Sequence, residues 1–98
     1  MSRRQKGIHL FDFADAINTK VVITRMPNRQ PSVFYCEFKS CNIRVFDGHV
    51  LEKKIGAGSS PAEAMKDYVN NIRGERLVLN YDIPENRQEF TAPENLTA

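Results

Sequence analysis

Gly58-Ser-Ser-Pro-Ala-Glu-Ala-Met-Lys-Asp-Tyr-Val-Asn-Asn-Ile-Arg-Gly74 is the stretch on which the fold reading turns. Ser60, Pro61 and Glu63 form a capping box with proline at the first helical position: the serine hydroxyl accepts from a free amide of the first turn while Glu63 reaches back. Met65, Tyr68, Val69 and Ile72 then make one apolar stripe, and Gly74 supplies a left-handed stop. A helix this short is marginal alone in water, so the stripe predicts a sheet beneath it.

Upstream, Val33 to Lys39 alternates, with Phe34, Cys36 and Phe38 on one face and Val33, Tyr35 and Glu37 on the other, which reads as a strand. Lys20 to Met26 is β-branched and stops at Pro27, giving a first strand and a loop to Pro31. Cys41 to Phe46 and His49 to Ile55 flank Asp47-Gly48, a dipeptide suited to a two-residue hairpin turn. From Ile8 to Asn18, Leu10, Phe13, Ala14 and Ile17 fit a short helix, although Ile8-His-Leu-Phe also fits a strand.

Downstream, Arg76 to Tyr81 and Arg87 to Ala92 read as two strands joined around Pro84, and Pro93 to Ala98 as a polar tail. Residues 1 to 7 read as a flexible basic arm. The expectation is one α+β domain over residues 1–98: an antiparallel sheet of five or six strands, one helix packed on it and a second helix near the N-terminus.

A chain of 98 residues with 41% apolar and 27% charged side chains can bury one modest core. It has no apolar run near the roughly 18 residues needed to span a bilayer, and no signal core follows its start. No membrane partner and a cytoplasmic location are therefore expected. Two cysteines without metal-ligand spacing give no disulfide framework or zinc site, and neither His9 nor His49 stands at such spacing, so no metal or cofactor is expected. Cys36, between Phe34 and Phe38, reads as a buried inert thiol; Cys41, near a strand start, reads as more exposed.

No nucleophile, base and orienting group can be named together, and no enzyme is expected. Glu63 and Asp67, one turn apart, read as an exposed acidic strip. Gly56-Ala-Gly58-Ser-Ser60, just before a helix N-terminus, is the one anion-binding candidate, through Gly56, Gly58, Ser59 and Ser60, but it lacks a Walker lysine and the third glycine of a dinucleotide fingerprint. Residues 1–81 carry 13 basic and 8 acidic side chains, residues 82–98 carry 1 and 4. That imbalance permits an anionic partner for the body of the domain. Arg25, Arg29, Tyr35, Arg44, Lys53 and Lys54 are the partner-contact candidates, and Arg25, Arg44 and Lys53, if they share one sheet face, would track a phosphate backbone with an aromatic available for stacking.

Three strands, a Gly-Ser turn and Ser60-Pro-Ala-Glu-Ala-Met65 opening a helix resemble the strand-strand-strand-helix unit of HicB-like antitoxins and double-stranded-RNA-binding domains, over Val21 to Ile72. The helix opens without the lysine cluster of the RNA-binding domains, and the chain ends without the DNA-binding module of HicB-like proteins. The segment Gly58 to Gly74 running into Leu77-Val-Leu-Asn80 is similar in style to small accessory proteins of phages and prophages of Gram-positive bacteria. That resemblance implies a binding protein that occupies a host protein or nucleoprotein, including defence proteins such as CRISPR nucleases, in the cytoplasm of a bacterium. Direct nucleic-acid binding is the alternative, and monomer and homodimer are both open.

Overall fold

The computed structural model describes residues 7–28, 33–45 and 48–98. In chain order the elements are β1 (Ile8–His9), α1 (Leu10–Ala16), β2 (Val21–Met26), β3 (Val33–Phe38), β4 (Cys41–Val45), β5 (Val50–Glu52), β6 (Gly56–Gly58), α2 (Pro61–Ile72), β7 (Arg76–Leu79), a 3₁₀ turn (Pro84–Asn86), β8 (Gln88–Thr91) and β9 (Leu96–Thr97). The fold class is α+β, but the expected single sheet is divided. A three-stranded antiparallel sheet runs β2-β3-β6, a four-stranded one β5-β4-β7-β8, and β1 pairs with β9 in parallel.

The division has a local cause. β3–β4 and β5–β6 are the arms of one long ribbon that bends in the middle. Cys36 pairs with Gly56 and Ile43 with Glu52, so seven steps on one arm match four on the other. The surplus is taken up at Lys39-Ser40, where Ser40 adopts a left-handed φ of 56°. The partner changes there: the Lys39 amide donates to Lys20 O, at the start of β2, and the Asn80 amide donates to Ser40 O, at the end of β7, both at 2.9 Å.

Helix α2 lies against β3 and β6, burying Ala64, Tyr68, Val69 and Ile72, with Met65 half-buried. Ser60 Oγ accepts from the Glu63 amide at 3.2 Å as the capping box requires, while the Glu63 carboxylate accepts from the Ser59 hydroxyl instead of the Ser60 amide. Gly74 closes the helix at φ 71°. The stretch expected as a Gly-Ser loop contains strand β6. A Cβ on Gly56 would collide with the backbone of Ala64 and Tyr68, and one on Gly58 with Glu63 and Ala64, so the glycines let helix and strand approach closely.

Leu10, Phe13, Ala14 and Ile17 are buried as their spacing predicts, and His9 caps α1 by accepting the Phe11 amide on Nδ1 at 3.1 Å. Both readings of this segment hold in part, since Ile8–His9 is a short strand and the helix starts at Leu10. The core joins α1, α2, Cys36 and Phe38 with Cys41, Ile43, Leu77 and Leu79 of the second sheet. The polar tail is corrected: Leu96 is 0% exposed, β9 pairs with β1, and Arg73 Nε donates to Leu96 O at 2.9 Å. The expected hairpin keeps the register set by an Asp47-Gly48 turn, with Val45 opposite Val50, although Phe46 and Asp47 lie outside the described residues. So does the basic arm up to Lys6.

Candidate functional site

β2 is the outer strand of its sheet, and among the described residues no strand lies beyond it. Hydrogen-bonded and non-bonded pairs alternate along an antiparallel ladder. Because Lys39 N–H donates to Lys20 O, in register with Val21 opposite Phe38, residues Lys20, Val22, Thr24 and Met26 turn their backbone groups toward β3. Val21, Ile23 and Arg25 turn theirs outward. Val22 to Arg25 are all exposed, Val22 and Ile23 each at 37%.

The other edges of the two larger sheets are short or occupied. On β6 the outward Ala57 amide donates to the Asp67 carboxylate of α2 at 2.9 Å, which gives Asp67 a structural task in place of the expected exposed acidic strip. β5 has three residues and β8 four, against six in β2. A long, bare strand edge is a template for another extended chain. Nothing in the alternation of Val21 to Met26 distinguished an edge from a central strand; only the strand order does.

The expected contact residues are dispersed. Directly opposed residues share a sheet face, so Arg25, opposite Phe34, lies on the pleat facing the core, while Tyr35, opposite Thr24, lies on the outer face. Arg44 donates Nε and a terminal nitrogen to the Glu89 carboxylate at 2.8 and 2.7 Å, and its other terminal nitrogen to Gly48 O at 3.0 Å. Arg76 reaches the same carboxylate at 3.1 Å, and fully buried Val78 lies opposite Glu89. The Glu89 carboxyl is thereby held below the usual carboxylate range, the Arg44 hydrogen bond being the main cause.

Lys53 pairs with Glu37 at 3.1 Å and Lys54 with Glu52 at 4.0 Å. The basic row imagined through Arg25, Arg44 and Lys53 is therefore not on one face, and two of its three members are matched by carboxylates. Arg25 makes no ion pair among the described residues. Arg29 lies outside them.

At Gly56 to Ser60 much of the hydrogen-bonding capacity is taken up within the chain. Gly56 and Gly58 are in a strand, Ser59 serves Glu63, Ser60 caps the helix and Ala57 serves Asp67, so an incoming anion would meet two carboxylates. Cys36 and Cys41 are both buried, which corrects the expectation of a more exposed Cys41, and burial pushes each thiol up to about 11. Both are held protonated at neutral pH, the unreactive form. Tyr68 accepts the Phe38 amide on its hydroxyl at 3.0 Å and meets the Phe38 ring edge-on.

Among the described residues no group of three or more His, Cys, Asp or Glu side chains could hold a metal ion, and no helix is long and apolar enough to cross a membrane. Comparison with protein-family models, with curated proteins and with solved structures gave no match, so the site rests on its own geometry.

Proposed function

We propose that this chain is a non-enzymatic binding protein that captures an extended segment of a partner protein along the free edge of β2. The observation that carries the reading is the outward set of backbone groups at Val21, Ile23 and Arg25 on a six-residue edge strand, since strand addition draws affinity from main-chain hydrogen bonds and specificity from flanking side chains. Lys20 and Arg25 put positive charge on this edge and no carboxylate lies on β2, so an acidic segment is the complementary partner and pairing with a second copy is opposed. Thr24 and Tyr35, adjacent on the outer face, would line the track of the bound chain.

In the setting that the resemblance to phage accessory proteins implies, the partner is a bacterial host protein, of the defence type among others, and occupying it modulates or inhibits it. Direct nucleic-acid binding is disfavoured by the pairing of Arg44, Arg76 and Lys53 with carboxylates.

The test is capture from host lysate on wild-type chain and on Ile23→Pro, with and without nuclease and at two salt concentrations. The outward Ile23 amide is dispensable to the β2–β3 ladder, so the variant removes an edge donor from a folded protein. A protein retained after nuclease and absent from Ile23→Pro is the expected result. Equal retention by both would overturn the edge, and retention abolished by nuclease and salt would transfer the protein to the nucleic-acid class.

A further inference from the structure

The corner where the ribbon changes partners holds a cleft of about 260 Å³ that includes Lys20, Lys39, Thr19, Ser40, Asn18 and Asn80 in its wall. Three features coincide there. Lys20 and Lys39 stand directly opposite each other, fixed by the Lys39 amide donating to Lys20 O at 2.9 Å. Like charges at directly opposed cross-strand positions are destabilising unless something neutralises them. Among the described residues no carboxylate lines the cleft, and Glu37, further along β3 on the same face, is held by Lys53 at 3.1 Å.

Asn18, Ser40 and Asn80, with φ of 62°, 56° and 55°, are the only described non-glycine residues in the left-handed region, and all three form its wall. Strained backbone of this kind persists where the surroundings hold it, and it concentrates at ligand sites. Thr19 Oγ1 donates to Lys39 O at 3.2 Å, fixing the backbone between the two lysines.

We infer that this cleft is an oxyanion site in which the Lys20 and Lys39 ammonium groups clasp a carboxylate or phosphate group, with the Ser40 hydroxyl and the Asn18 side-chain amide as neutral donors beside them. A bound anion turns an unfavourable lysine pair into two charge-assisted contacts. The site shares Lys20 with the proposed strand-capture edge but needs no strand bound on β2, and Lys39 belongs to it alone.

The probes are inorganic phosphate and a short glutamate-containing peptide, each titrated at constant ionic strength into the full chain while the amide resonances of Thr19, Ser40 and Asn80 are followed by NMR. Saturable shifts with at least one probe are expected. Lys20→Met or Lys39→Met should each weaken binding about tenfold, the size of one lost charge-assisted hydrogen bond. Lys66→Met, on α2, and Ile23→Pro should leave it unchanged.

Because the free lysine pair is unfavourable, Lys39→Met should also melt higher than wild type in anion-poor buffer and lose the rise in melting temperature that the saturating probe gives wild type. Saturation by phosphate alone assigns a free anion, and saturation by the peptide a carboxylate borne by a protein. Shifts that fail to saturate with either probe, or that persist at equal affinity in both lysine variants, would overturn the site.

Discussion

The two larger sheets are held together in opposite ways. In β2-β3-β6 a helix does the work: α2 is seated on Gly56 and Gly58, its Asp67 side chain accepts the outward Ala57 N–H, and Tyr68 and Asn71 satisfy Phe38 N–H and Ile55 C=O where the ribbon strands part. In β5-β4-β7-β8 the outer face is closed by the Arg44, Arg76 and Glu89 side chains above Val78. The helix-bound sheet has one long edge that, among the described residues, no strand covers. The second has short edges and a charge-matched face. The proposed partner surface is accordingly the β2 edge, in the sheet that the helix braces from the other side.

The largest effect expected from breaking this contrast is at the helix-to-strand contact. Gly56→Ala sets a methyl against the backbone of Ala64 and Tyr68, neither of which is a flexible side-chain end, and should cost about 3 kcal/mol, the upper end for overpacking. A shift of the urea midpoint reads this directly; a change below 1 kcal/mol would show that α2 does not sit on β6.

Next comes a pair on β2 itself. Thr24→Pro removes an amide that faces β3 and should cost about 2 kcal/mol or more, combining a lost ladder bond with an unsatisfied acceptor. Ile23→Pro, one residue away, should cost about half as much or less, because its amide faces outward. Equal losses in urea denaturation would mean that the two amides are not on opposite sides of the strand.

Tyr68→Phe leaves the buried Phe38 amide without its acceptor and should cost about 1 to 2 kcal/mol, with little change in volume. Hydrogen exchange at Phe38 is the specific readout, and an unchanged rate would remove Tyr68 from the bend.

The smallest effect lies in the second sheet and is a matter of pH. Glu89 has its folded pKa lowered from 4.5 by Arg44, so its contribution is present above that unfolded value and is lost as pH falls through the folded one. Thermal melts of wild type and Glu89→Gln should therefore converge as pH drops below about 4.5 and stay apart at neutral pH, more so at low salt. A constant gap across the range would take Glu89 out of the cluster.

Much of the helix-bound region was legible because its signals are local. Ser60, Pro61 and Gly74 mark the ends of α2, and Tyr68, Val69 and Ile72 its buried face; in the other sheet the local signal is Asp47-Gly48, which marks the β4–β5 register. The rest depends on partners distant in sequence. Gly56 to Gly58 reads as a loop because glycine is a poor strand former, and only the helix resting on it explains the choice. Leu96 is a lone apolar residue in a polar stretch, buried by a strand at the other end of the chain. Glu89 and Arg44 are 45 positions apart and meet only through the order β4-β7-β8. Arg25 was visible as a strand cation, but that its strand is an open edge was not, since alternation reveals faces and not neighbours.

The most direct measurement is residue-resolved hydrogen exchange along β2 in the free protein. Amides of Val22, Thr24 and Met26 should be protected by β3 while those of Val21, Ile23 and Arg25 exchange near solvent rates, an alternation that disappears when a partner strand binds. Protection at all six positions in the free chain would show the edge already occupied and contradict the account.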